Sequence, residues 1–369
     1  GLGIHGEPGV DETGIPTADH LAELLVEQLL TEVPDGVETK SARVVPILNG
    51  LGSLKYEEMF VVYRRIASLL EDAGVEVVDP HVGEYCTSFD MAGTSLTLFW
   101  LDDELHTLWD TAVDTSAYRR GSVAPQLRIE PIPAASADAE VFEPSDDESQ
   151  DAARIVLAAV RAIAETVDEH VDELGRIDAI AGDGDHGIGM QRGSHAALHA
   201  ASSAVEAGAG AKATLAHAAD AWANKAGGTS GALWGVILNA VAAKLSNLGT
   251  PDPAVVIAGV ADATYSVTAY GKAEVGDKTM VDALVPFSST LTQDFDGGAS
   301  LVDAWHTAAA AATLAAQATT QMLPRMGRSR THGHNSVGTP DPGAISLALI
   351  VNAVGDLLTA ECQKESAHG

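Results

Sequence analysis

Ala308-Ala309-Ala310-Ala311-Ala312-Thr313-Leu314-Ala315-Ala316 is built almost wholly from the strongest helix former, with neither Gly nor Pro to interrupt it. Its small side chains let a neighbouring helix come close. Working outward, about eight segments between Ala152 and Ala360 carry helical periodicity with few β-branched residues. They lie near 152–174, 188–206, 212–226, 231–247, 253–269, 280–293, 300–321 and 343–361. Short loops bearing Gly or Pro join them, which favours antiparallel neighbours. The spacing predicts an all-α unit over 151–369.

Upstream the texture differs. Val44-Val45-Pro46-Ile47-Leu48 is a short apolar run that stops at Asn49-Gly50-Leu51-Gly52, a strand followed by a turn. Phe60 to Leu70 has helical spacing, and Val75-Glu76-Val77-Val78 and Leu96-Thr97-Leu98-Phe99-Trp100 read as further strands. Residues 1–121 are therefore expected to be α/β. Between the two lies 122–150, with Pro125, Pro131, Pro133 and Pro144 among Ala, Ser and acidic residues. Its prolines and like charges predict an extended linker.

At 369 residues, with 46% apolar residues, the chain is long enough for two folded domains. A net charge of −31 repels nucleic-acid phosphates, so no nucleic-acid partner is expected. No run of 18 consecutive apolar residues occurs, so no membrane span is expected. Two cysteines, Cys86 and Cys362, are too few for a disulfide framework and point to the reducing cytoplasm. The chain opens at Gly1 inside a motif, and is expected to be the C-terminal part of a longer protein.

Two short stretches carry the chemistry. Gly182-Asp183-Gly184-Asp185-His186-Gly187, with Asp178 just before it, packs carboxylates into a stretch too glycine-rich for a helix interior. Hard divalent ions such as Mg²⁺ take such oxygen ligands. An EF-hand is excluded, because the twelfth position counted from Asp183 is Ser194 and not Glu. A turn with helix-capping aspartates is the other reading. The second stretch, Gly1-Leu2-Gly3-Ile4-His5-Gly6-Glu7-Pro8-Gly9, sets a histidine in a glycine-walled turn suited to a small carbonyl compound. Alone, such a histidine also reads as structural. Its match to the dinucleotide fingerprint by letter fails, since no strand precedes it and Pro8 and Gly9 stand where a helix would run.

Other loops fall at helix junctions. Gly227-Gly228-Thr229-Ser230-Gly231 offers backbone amides and hydroxyls to phosphate. Gly271-Lys272-Ala273-Glu274-Val275-Gly276-Asp277-Lys278-Thr279-Met280 misses the Walker A spacing, with Asp277 between its second Gly and the Lys. Arg325-Met326-Gly327-Arg328-Ser329-Arg330 supplies guanidinium forks, and Asp341-Pro342-Gly343 opens the last helical segment.

These motifs, with Tyr85-Cys86-Thr87-Ser88-Phe89-Asp90-Met91, resemble in order and over nearly the whole chain the dihydroxyacetone kinase family in its single-chain form. That form joins a ketose-binding K domain to a nucleotide-binding L domain. The resemblance implies a multi-domain chain: an α/β C-terminal part of a K domain, then an all-α antiparallel helical barrel, the L domain. It implies that Asp178, Asp183 and Asp185 hold two Mg²⁺ ions that bridge the phosphates of ATP. Nucleotide contacts are implied for His186, Gly187, Ile188, Gly189, Thr229, Ser230, Gly271, Met280, Arg328, Asp341, Pro342 and Gly343. His5 is implied to bond the substrate carbonyl as a hemiaminal, which selects ketoses because an imidazole cannot add to an alcohol in this way.

The implied reaction is ATP-dependent phosphorylation of a small ketose, dihydroxyacetone first and four-carbon erythrulose as the alternative. A non-catalytic regulator and a flavin-nucleotide lyase are further alternatives. A homodimer through K domains and a cytoplasmic location are expected. The chain departs from the family at two points. An earlier K-domain segment, with a second histidine and an aspartate acting on the attacking hydroxyl, is not in these 369 residues, so weak turnover is expected of them alone. Thr331-His332-Gly333-His334-Asn335-Ser336 is richer in histidine than the family pattern.

Overall fold

The computed structural model describes residues 14–86, 88, 91–122, 142–326 and 328–368. His5 and its glycine turn, most of the 122–150 stretch, and Thr87, Phe89 and Asp90 lie outside the described residues. The chain divides into two compact units near residue 134.

The first unit is α/β. Its elements are α1 (Ala18–Leu30), β1 (Arg43–Gly50), α2 (Tyr56–Asp72), β2 (Glu76–Val77), β3 (His81–Gly83), β4 (Thr94–Leu101), α3 (Asp103–Trp109), and a hairpin of β5 (Val113–Asp114) with β6 (Arg119–Arg120). β1 is the central strand. β2 and β3 pair with it in parallel, at Arg43↔Glu76 and Ile47↔His81, and β4 pairs antiparallel, at Val44↔Trp100. Pro46 has no N–H to donate, and it stands where the parallel ladder breaks between β2 and β3. The core is formed by Val44 and Leu48 of β1 with Met59, Val62, Ile66 and Leu70, one face of α2 at three- and four-residue spacing. Ala22 and Val26 of α1 close over them.

The second unit is helical: α4 (Asp147–Asp178), α5 (His186–Glu206), α6 (Ala211–Ala226), α7 (Gly228–Lys244), α8 (Pro253–Gly271), α9 (Val281–Asp296), α10 (Leu301–Ala318) and α11 (Pro342–His368). Each packs on the next, and α11 packs on both α10 and α4, so eight helices close a ring. Ala304, Ala308, Ala309, Ala312 and Ala316 put the small face of α10 wholly inside it. The alanine run thus serves close approach, as its composition predicts. The first turn of α4 takes in Asp147 to Gln150, which composition assigns to the linker; Asp146 caps it by accepting the Ser149 amide.

Among the described residues one helix, over Pro342–Lys364, is long and apolar enough by length and composition to cross a membrane. It has no unbroken apolar run of that length, but its scattered polar residues leave a window of mean hydropathy 1.7. Its Ala344, Leu347, Ala348, Ile350 and Val351 lie in the core of the ring.

Candidate functional site

The aspartate cluster follows from how α4 gives way to α5. Asp178 is the last residue of α4, and the chain turns back before α5 starts at His186. Gly182 donates its amide to the Asp178 carbonyl at 2.7 Å, and a side chain there would run into Asp178 Oδ1. Gly184 takes φ 78°, which an L side chain resists. The turn leaves Asp178, Asp183 and Asp185 each offering a carboxylate oxygen, all within 4.8 Å of one another. Burial holds the Asp178 carboxyl above the usual carboxylate range, the Asp183 and Asp185 charges add to this, and the His186 and Gly184 amides oppose it. Three hard carboxylate oxygens crowded into one turn suit a divalent cation such as Mg²⁺.

The cluster lies on the wall of a cavity of about 490 Å³. Two helix starts form further parts of the wall. At α7, Gly227 (φ 73°) and Gly228 (φ 60°) turn the chain so that the helix begins at Gly228. Thr229 and Ser230 therefore sit in its first turn, where amides have no intrahelical acceptor and the dipole favours anions. At α11, Asp341 accepts the Ala344 amide at 2.7 Å and itself donates its amide to Thr319 Oγ1 at 2.8 Å. Burial pushes the Asp341 carboxyl up to about 7; the Asp282 and Asp178 charges add to this, while the Ala344 amide and Lys278 oppose it.

His186 is buried at the start of α5, with Nε2 3.0 Å from Ser346 Oγ on α11. Burial pulls its pKa down to about 4, against a hydrogen bond to the Pro342 backbone, so the ring is neutral at pH 7.

Asp178, Asp183, Asp185, His186, Gly189, Thr229, Ser230, Gly271, Met280, Asp341, Pro342 and Gly343 all line this one cavity. Gly187 and Ile188 do not. Gly187 faces the backbone of α4, where a side chain would run into the Val171 carbonyl oxygen, and Ile188 is exposed. Arg328 begins a 3-10 helix, Arg328–Ser336, whose Ser336 lines the cavity.

Lys278, on the cavity wall, and Asp282, next in sequence to the wall residue Val281, carry roles the sequence motifs do not reveal. Asp282 accepts the Gly276 amide at 2.6 Å and the Thr279 amide at 2.7 Å, which shapes the loop before α9. Lys278, buried and at φ 61°, directs its ammonium to backbone and hydroxyl oxygens. The failed Walker spacing draws attention to this loop, but gives no hint that its lysine is turned inward.

In the α/β unit, Asn49 at the end of β1 is buried and fully engaged. Its Oδ1 accepts the Tyr85 and Cys86 amides at 2.8 and 2.9 Å, and its Nδ2 donates to the Cys86 carbonyl at 2.6 Å. A second cavity of about 290 Å³ is lined by Ile47, His81, Tyr85, Trp109, Ala117 and Tyr118.

Comparison with known proteins agrees with this architecture. Residues 1–117 match the Dak1 domain and residues 180–356 the DAK2 domain. The chain is 53% identical to the L-erythrulose kinase of Pectobacterium atrosepticum, over 100% of the chain and 62% of that protein. It is 48% identical to the D-erythrulose kinase of Mycolicibacterium smegmatis, over 99% of the chain and 63% of that protein. The chain thus spans less than two thirds of the length of these relatives. A solved dihydroxyacetone kinase from C. freundii, in complex with AMP-PNP and Mg²⁺, aligns at TM-score 0.43 and 25% identity, over 96% of the chain and 60% of that structure.

Proposed function

Because the chain belongs to the dihydroxyacetone kinase family, with a Dak1 match followed by a DAK2 match, we propose that its parent protein transfers the γ-phosphoryl group of ATP to a small ketose, and that this ketose is erythrulose. The observation that carries the phosphoryl-transfer reading is the aspartate trio beside two helix starts on one cavity wall. The relatives named for erythrulose support the four-carbon substrate over the three-carbon dihydroxyacetone that the family resemblance first suggests.

Phosphoryl transfer needs alignment and charge neutralisation more than covalent help. Bound Mg²⁺, as two ions in this reading, would neutralise the γ-phosphate charge. Asp178, Asp183 and Asp185 would hold the metal. The first-turn amides of Thr229 and Ser230 receive phosphate oxygens, and the neutral His186 fixes the start of α5 against α11. Met280, Gly271 and the Asp341-Pro342-Gly343 turn wall the nucleotide. His5 captures the ketose carbonyl, and the substrate's terminal hydroxyl attacks the γ-phosphorus in line, losing its proton as the bond to the β-phosphate breaks and ADP leaves. ATP serves directly, with no phosphocarrier partner, and the parent protein is a dimer in the cytoplasm.

The test is steady-state kinetics of the full-length protein with ATP and Mg²⁺. Erythrulose is expected to give the higher kcat/KM; a higher value for dihydroxyacetone overturns the four-carbon assignment. A requirement for a phosphocarrier protein overturns direct ATP use. Unchanged turnover in D183A overturns the metal assignment.

A further inference from the structure

Lys278 is an unusual placement of charge. It is buried, 3% exposed, in a chain with 52 acidic and 21 basic residues. Its ammonium nevertheless donates to uncharged oxygens: the Ser336 carbonyl at 2.6 Å, Ser336 Oγ at 3.3 Å and the Met322 carbonyl at 3.3 Å. Those three bonds account for all three ammonium protons. Met322 and Ser336 are the two ends of one stretch, which includes Arg325, Arg328 and Arg330 and contributes Met326 and Ser336 to the cavity wall.

The neighbouring bonds have the same effect. The Arg325 amide donates to the Asp277 carbonyl at 3.0 Å, beside the lysine in sequence. Ser336 Oγ donates to the Gly333 carbonyl at 3.0 Å, which tightens the same end of the stretch. The lysine's own backbone, at φ 61°, is held by the two amides that Asp282 accepts on either side of it. A strained, buried cation bonded to both ends of a chain segment is the geometry of a clamp.

We propose that Lys278 is a positioning residue, clamping the Met322–Ser336 stretch against the cavity so that the stretch meets the nucleotide phosphates. This rests on the nucleotide reading of the cavity, but the clamp itself does not. Lys278 acts through the segment it holds, not by touching phosphate, because its three donors are already committed.

Two readouts on this chain separate the possibilities. Trypsin cuts after Arg325, Arg328 and Arg330, and mass spectrometry of the fragments reports how often the stretch opens. Titration with Mg²⁺ and a fluorescent ATP analogue reports affinity. In K278M, cutting within 325–330 is expected to rise about tenfold while cutting at the other Lys and Arg sites, the removed Lys278 site aside, stays at the wild-type rate, and the nucleotide Kd is expected to rise by a similar factor. S336A, which removes one hydroxyl and leaves the lysine in place, is expected to move both readouts in the same direction by about threefold. S336A keeps the test valid if K278M does not fold, and unchanged cutting in S336A then overturns the clamp. Weaker nucleotide binding in K278M with wild-type cutting means direct phosphate contact and also overturns it. If the wild-type chain binds no nucleotide, the cavity reading fails, while the cutting rates still decide the clamp.

Discussion

His186 and Ser346, 160 residues apart, meet with Nε2 3.0 Å from Oγ and so join the N-terminal ends of α5 and α11. The contact places the helix start that follows the aspartate trio against the helix start capped by Asp341.

The burial of His186 gives a pH dependence with a definite sign. Its pKa is about 4 when folded and 6.5 in the reference state, so the unfolded chain binds the extra proton between those values. The contribution is fully favourable above pH 6.5 and is lost as pH falls towards 4, by roughly 3 kcal/mol in all. H186Q is expected to flatten the fall in melting temperature between pH 7.5 and pH 5, measured without divalent ions. An equal fall in wild type and variant would contradict the assignment.

Ligand removal should show in stability. Mg²⁺-nucleotide at about a hundred times its Kd raises stability by about 2.7 kcal/mol. D183N is expected to lose that increment, and EDTA is expected to abolish it in the wild type. Thermal melts with and without Mg²⁺ and ATP measure both.

Gly187 is expected to tolerate nothing larger, although it does not itself line the cavity. A methyl group there runs into the Val171 carbonyl oxygen of α4. G187A should cost about 1–3 kcal/mol and displace the start of α5. Urea denaturation gives the stability loss, and the melting shift with Mg²⁺-ATP should shrink with it.

Asn49 holds the Tyr85–Cys86 turn by accepting two amides and donating to one carbonyl. N49A strands those backbone groups, and should lower the stability of the α/β unit by about 3 kcal/mol. N49D keeps the acceptor and loses the donor, so it should fall between wild type and N49A in the same urea titration.

Much of the architecture was legible locally. Helical periodicity, alanine content and Gly- or Pro-bearing junctions are properties of neighbouring residues, so eight helices and an α/β first unit could be read from them. The aspartate trio was legible for the same reason: Asp178, Asp183 and Asp185 lie within one turn, and glycines there permit only a few backbone paths. Boundaries were less so. Gly228 starts α7 three residues before the periodicity predicts, because Gly-Gly at positive φ looks like loop but turns the chain directly into the helix.

What tertiary structure alone decided is which distant segments share the cavity. Closure of the ring brings Asp341 to Asp178, Ser346 to His186 and the Met322–Ser336 stretch to Lys278. No periodicity encodes these meetings. They follow from helix lengths and close alanine packing summed around the ring, and they turn Gly187 into a spacer and Lys278 inward. The residue types set what chemistry the chain can perform; the closed ring sets which of them face one another.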